Sequence, residues 1–352
     1  MHIAAVARAM PEHRYAQSEI TDALRAVWSE RPSVLKRLPS LHENVRVQSR
    51  YLARPIGWYL DPRTFGETND AWIDVAQELG ERALGDALGK VGLTPTDVDA
   101  IIAMSVTGIA SPSLDARLAN RMDFRPDVKR MPIFGLGCVG GVAGISRAAD
   151  YVKAYPDQVA VLVSVELCSL TFHPDDCSVA NVISVGLFGD GAAAVVVVGE
   201  ERARKMGLKA PRIEAMRSVF YRDTEDLMGW TIDERGFQIV LSPKVPELAR
   251  AQLGADAAAF LRDHGVDRDE VGAWVCHPGG PKVLEAIRDA LELNDDDVGL
   301  SWKALAETGN LSSTSVLLVL EETLAQGRAP GTAGVLIAMG PAFCSEHVLI
   351  RW

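Results

Sequence analysis

Three residues in this chain carry side chains able to handle an acyl group, and each sits where an apolar run stops. Cys138 lies in Gly137-Cys138-Val139-Gly140-Gly141. It follows the apolar residues 131–136 and precedes residues 142–155, where Ala143, Ile145, Ala148, Ala149 and Val152 recur at helical spacing. The pattern predicts a buried strand feeding a helix, with the cysteine at the elbow. A thiol there meets unpaired backbone N–H groups and the positive end of the helix dipole, which favour thiolate. The flanking glycines let a substrate carbonyl approach the backbone. His277 ends the apolar stretch 273–276 ahead of Pro278-Gly279-Gly280-Pro281, a place for a base or an N–H donor. Asn310, in Thr308-Gly309-Asn310-Leu311-Ser312-Ser313, can cap a helix or offer its amide. A thiolate paired with an imidazolium accepts an acyl group from a thioester, and neutral amide and imidazole N–H groups hold an enolate oxygen. A cysteine protease can use the same trio, and the pattern of the surrounding elements argues against one.

Those elements come twice. Asp269-Glu270-Val271 resembles Thr96-Asp97-Val98, and aligning Val98 with Val271 sets Met104 opposite His277. Cys138 lies 34 positions beyond Met104 and Asn310 lies 33 beyond His277, so both fall at equivalent turns into helices. Residues 334–339 then repeat the strand at 159–165. This is one internal duplication, not a solenoid. It predicts an α/β fold of two mixed sheets covered by helices, with an N-terminal half over residues 1–206 and a C-terminal half over 207–352. Stacked central helices would bring the two turns to one pocket. Around this frame the pattern predicts a first strand at the N-terminus and a helix over 19–30 capped by Ser18. It further predicts an irregular surface stretch over 38–60, a helix over 68–91 and a central strand over 98–106. The charged run 200–205, followed by Gly207 and Pro211, reads as a hinge.

Composition narrows the function classes. Hydrophobic residues make up 48% and charged residues 24%, the balance of a globular chain, and the net charge of −11 argues against nucleic-acid binding. Basic clusters such as Lys36-Arg37 and Arg46 to Arg54 become local anion sites in such an acidic protein. Five cysteines without Cys-x-x-Cys or zinc spacing read as reduced thiols in the cytoplasm, with no metal site. No apolar run is long enough to span a membrane, and the N-terminus lacks the basic and apolar regions of a signal peptide.

Four motifs in order, Gly137-Cys138-Val139-Gly140-Gly141, Leu187-Phe188-Gly189-Asp190-Gly191-Ala192, His277-Pro278-Gly279-Gly280-Pro281 and Gly309-Asn310-Leu311-Ser312-Ser313, resemble the type III polyketide synthases, the chalcone synthase family of the thiolase fold. The resemblance implies an αβαβα layered arrangement and a homodimer using no cofactor beyond its CoA thioester substrates, an acyl-CoA starter and malonyl-CoA. By it Cys138 is the acyl-bearing nucleophile, His277 and Asn310 promote decarboxylation, and Phe188 is the aromatic gatekeeper. Ile239 stands where the family often has a second gatekeeper Phe. Ser111 stands where many members send a Met across the dimer interface. Cys168 occupies a cavity position that is also Cys in bacterial naphthalene-forming members, and Thr171 matches a pocket Thr. Lys36, Arg37, Arg46 and Arg50 are the candidates for CoA phosphates. The C-terminal Ala338-Met339-Gly340-Pro341-Ala342 resembles bacterial alkylpyrone and alkylresorcinol synthases, so the expected product is a pyrone or resorcinol. A tetrahydroxynaphthalene-forming synthase, a single-round ketoacyl synthase and a non-catalytic acyl-CoA binding protein are the alternatives.

Overall fold

The computed structural model describes all 352 residues. In the first half the elements are β1 (His2–Ala9), β2 (His13–Ala16), α1 (Gln17–Val27), α2 (Pro32–Asn44), β3 (Ser49–Leu52) and α3 (Phe65–Gly89). They continue with β4 (Ala100–Met104), α4 (Leu114–Arg121), β5 (Lys129–Ile133), α5 (Gly140–Ala154), β6 (Val159–Leu167), α6 (Val179–Leu187), β7 (Asp190–Val198) and α7 (Glu200–Met206). The second half contains β8 (Arg212–Phe220), β9 (Met228–Asp233), β10 (Gly236–Leu241), α8 (Val245–Asp263) and β11 (Val271–Cys276). It ends with α9 (Pro281–Ala290), α10 (Gly299–Thr308), α11 (Ser315–Gln326), β12 (Ala333–Gly340) and β13 (Cys344–Arg351).

The duplication is visible in the strand order. The sheet runs β11-β12-β13-β8-β1-β7-β6-β4-β5. In each half the strand after the elbow lies beside the one before it and parallel to it, β6 with β4 and β12 with β11, and the next strands follow antiparallel. Only the β5 edge has no counterpart. The two half-sheets form one nine-stranded ladder, although their junction is a single registered pair, His2 with Arg212.

Both faces of the central strands are apolar because both are covered. On β6, Val159, Val161, Val163 and Val165 join the core under α3, whereas Ala160 and Leu162 join the core that holds α5 and α11. On β12, Val335 and Ile337 face the core under α8 and α9, and Leu336 and Ala338 face α5 and α11. The resulting layers are α3, half-sheet, α5 with α11, half-sheet, α8 with α9.

Several local expectations change. The helix expected from residue 19 starts at Gln17, with no cap from Ser18, because the Glu19 carboxylate takes the Ala16 N–H instead, at 2.7 Å. Residues 38–60 are ordered, comprising the end of α2, β3 and a short 3₁₀ turn at Ile56–Leu60, and they carry a buried Arg50. The strand expected to be buried over 131–136 is β5, the sheet edge, with Lys129, Arg130 and Pro132 exposed. The charged run at 200–205 is the helix α7, closed by Gly207 at φ +61°.

Candidate active site

The two elbows meet through the central helices. Gly140 and Gly141 open α5, where a Cβ on Gly140 would stand 2.1 Å from Met104 Sδ and one on Gly141 would stand 2.2 Å from the Ser313 carbonyl oxygen. Gly137 has φ +54°, and a Cβ there would overlap Pro341. The glycines around Cys138 therefore allow close packing of the elbow against Met104, Ser313 and Pro341. Ser312 sits beside the thiol in the left-handed region, with φ +47° and its Oγ 3.8 Å from Cys138 Sγ.

Asn310 is held from two sides. Its Oδ1 accepts the Ser312 N–H at 2.8 Å and its Nδ2 donates to the Gly279 carbonyl at 3.1 Å, while its amide also reaches the Cys138 thiol. Its backbone pairs with the gatekeeper segment, since Asn310 N donates to Leu187 O and Gly189 N donates to Asn310 O. His277 is buried at the end of β11, and both ring nitrogens lack a hydrogen-bond partner. Cys138, His277 and Asn310 all line one cavity of about 90 Å³, together with Phe188, Ile239 and Cys168.

The resting protonation differs from the expectation drawn from the helix dipole. Burial pushes the Cys138 thiol up to about 11, a cost that its bonds to Ser312 and Asn310 only partly offset, and burial lowers His277 to about 3. Burial thus opposes charging either group before substrate arrives, against the pull of the helix dipole on the thiol. A neutral imidazole accepts the thiol proton at its bare nitrogen and already donates an N–H from the other.

A second chamber of about 70 Å³ adjoins the first. The two share Cys168, Phe188, Trp230 and Ile239 in their walls, and Thr171 lines the second one alone. Trp230 was not singled out from the sequence. It is the direct cross-strand partner of Ile239 in the β9–β10 hairpin, so the Asp233-Glu234-Arg235-Gly236 turn between the two strands is the signal that would have located it.

Other expected site residues lie elsewhere. Ser111 is exposed between β4 and α4 and lines neither chamber. Lys36 is exposed on α2, and Arg37 donates to the Cys177 carbonyl. Arg46 is exposed, paired with Glu285 at 3.5 Å and stacked over Trp302. Arg50 is 2% exposed and lines the second chamber, so it cannot serve as a surface ligand for CoA phosphates.

Residues 1–201 match the family described as chalcone and stilbene synthases, N-terminal domain, and residues 212–352 match its C-terminal domain. This chain belongs to the chalcone and stilbene synthase family. It is 51% identical to a 1,3,6,8-tetrahydroxynaphthalene synthase of Streptomyces peucetius, an alignment covering 99% of this chain and 93% of the relative. It is 31% identical to a 3,5-dihydroxyphenylacetyl-CoA synthase of Amycolatopsis balhimycina, over 99% of this chain and 92% of that one. Among solved structures it superimposes on the tetrahydroxynaphthalene synthase of Streptomyces coelicolor with a TM-score of 0.94 at 32% identity, covering 100% of this chain and 99% of the other. Germicidin synthase from the same organism, a type III polyketide synthase, gives 0.91 at 25% identity, covering 100% and 99%. The protein is a type III polyketide synthase, hence an acyltransferase, on a thiolase-type αβαβα fold. No helix of this synthase is long and apolar enough to cross a membrane.

Proposed function

We propose that this synthase makes 1,3,6,8-tetrahydroxynaphthalene or a close analogue, with malonyl-CoA as both starter and extender. The observation that carries the catalytic part is the convergence of Cys138, His277 and Asn310, from three separate turns, on one cavity. The product follows from the 51% identity along nearly the whole chain, which favours the naphthalene over the pyrone or resorcinol. Oxygens on alternate carbons throughout such a naphthalene mark a chain built wholly of two-carbon units, with no trace of a distinct acyl starter.

Cys138 Sγ attacks the thioester carbonyl as its proton passes to His277, CoA leaves as the thiol, and the acyl group remains on sulfur. An extender malonyl-CoA then loses CO₂, and its enolate oxygen accepts N–H bonds from His277 and from the amide hydrogen that Asn310 turns toward Cys138. The enolate carbon attacks the Cys138 thioester, so a carbon–carbon bond forms and the thiolate departs. Decarboxylation supplies the carbanion, so CoA thioesters and this chain's own groups suffice and no further cofactor enters. Arg46 pairs with α9, whose Val283 lines the catalytic cavity, which favours that mouth, the exposed Lys36 and the half-buried Arg37 of α2 as the phosphate end of the CoA path. The duplicated units are residues 1–206 and 207–352. The synthase works as a homodimer in the cytoplasm, a reading supported by the open β5 edge with exposed Phe134 and Ile109 near it and by five unpaired cysteines.

Purified enzyme supplied with malonyl-CoA alone tests the proposal by mass spectrometry. A tetrahydroxynaphthalene, or its oxidation product, is expected from the wild type and none from Cys138→Ala. A requirement for an added acyl-CoA starter, with a pyrone as product, would overturn the assignment.

A further inference from the structure

Arg50 is the one arginine buried in this chain, and no carboxylate lies within ion-pair distance of it. Its Nε donates to Gln17 Oε1 at 3.2 Å and its Nη1 to the Phe188 carbonyl, while Nη2 has no partner at all. Asp190, the carboxylate whose charge it feels most, is itself engaged by the Ala53 and Ser169 N–H groups and the Ser169 hydroxyl. The Ser184 hydroxyl on α6 is also buried and unpartnered. Both residues line the second chamber, whose walls are otherwise mostly apolar. A buried guanidinium with one nitrogen left unpartnered is costly unless an anion or a strong acceptor completes it. Its planar donors suit a carboxylate.

We propose that Arg50 and Ser184 form a carboxylate-binding site at the far side of the gate, which takes the carboxylate end of a growing acyl chain primed by a dicarboxylic unit. This rests on the malonyl-primed reading above. A chain anchored at Cys138 by its newest carbonyl pushes its starter end away from the sulfur, past Cys168, Phe188, Trp230 and Ile239, the residues common to both chambers. A malonyl starter loaded intact keeps a carboxylate at that end through the extension rounds and releases it as CO₂ only on cyclisation, so that the naphthalene retains two carbons of every unit. A neutral acyl starter presents a methyl group and gains nothing from Arg50.

The test compares succinyl-CoA and butyryl-CoA as competing starters in the presence of malonyl-CoA. They have equal carbon number and differ in a terminal carboxylate against a methyl, and succinyl does not decarboxylate as malonyl does. The ratio of succinyl-primed to butyryl-primed extended products is expected to fall at least tenfold in Arg50→Gln and to recover in part in Arg50→Lys. A folded Arg50→Gln enzyme with the wild-type ratio would overturn the proposal. A purely structural Arg50 would lower both products together and leave the ratio unmoved, which also overturns it. Should Arg50→Gln not fold, Ser184→Asp sets a competing carboxylate in the chamber, and the same tenfold fall is expected; an unchanged ratio sinks the site. Malonyl-CoA alone with wild-type enzyme reports on the product reading separately, so the two can fail independently.

Discussion

At the scale of single residues, the protonation state of the Cys138 and His277 pair determines how the thiol behaves before substrate arrives. With the thiol pushed up to about 11 and His277 lowered to about 3, the thiolate fraction grows about tenfold per pH unit through the neutral range. The alkylation rate of Cys138 by iodoacetamide is therefore expected to climb from pH 6 to 10 without a plateau. A plateau below pH 7 would reveal a preformed thiolate–imidazolium pair. Asn310 is expected to act mainly on the enolate. Asn310→Ala should lower malonyl-CoA decarboxylation by about 10²–10³-fold, the usual cost of one oxyanion donor, measured as CO₂ release. Covalent loading of Cys138 should survive, because the thioester-forming step does not call on the amide.

At the scale of elements, the glycines of the elbow and one buried carboxylate hold the site together. Gly141→Ala places a methyl on the Ser313 carbonyl, and backbone cannot step aside as a flexible side chain can. A loss of about 1–3 kcal/mol in chemical denaturation is expected. Gly85→Ala, exposed in α3 with nothing within 4 Å of the new Cβ, is expected to gain about 0.5–1 kcal/mol in the same assay. Glu166, at the end of β6, accepts from Val106 N at 3.1 Å, Thr107 Oγ1 at 2.9 Å and Ser105 Oγ, and also from Ser313 at the start of α11, so it ties β4, β6 and α11 together. Burial outweighs these bonds and raises it to about 7. A raised carboxylate stabilises the fold fully below its ordinary value near 4.5 and loses that contribution as pH rises through 7. The stability advantage of wild type over Glu166→Gln is thus expected to shrink between pH 4.5 and 8. An advantage that grows with pH would show that the carboxylate is held ionised.

At the scale of the whole molecule, the catalytic cavity belongs to both halves. Cys138 comes from the first, His277 and Asn310 from the second, and the Phe188 segment pairs with Asn310 across the division. The central core is also shared, since Ile145 and Val152 of α5 pack in one cluster with Val316, Leu320, Leu336 and Val348. Residues 1–206 expressed alone would expose that apolar face of α5. They are expected to be insoluble by themselves and to be recovered in solution on co-expression with 207–352. A soluble first half with a cooperative unfolding transition would show that the layers are less interdependent than their packing indicates.

Local pattern alone determined the duplication and the family, and it was enough to single out Cys138, His277 and Asn310 as candidates. Elbow residues, strand-end histidines and strands apolar on both faces are written in short stretches of chain, and a repeat offset by one residue is enough to pair Cys138 with Asn310. The same local reading misjudged residues 38–60, because a basic and aromatic stretch looks solvated until β3 pairs with β2 and carries Arg50 inside. Trp230 reached the wall between the chambers through its pairing with Ile239, and the direction in which burial pushes Cys138 and His277 followed from distant segments that cover them. Burial and desolvation sum over residues far apart in the chain. The division into two chambers, the unsatisfied guanidinium in the second and the burial that opposes charging Cys138 were therefore decided by the tertiary structure.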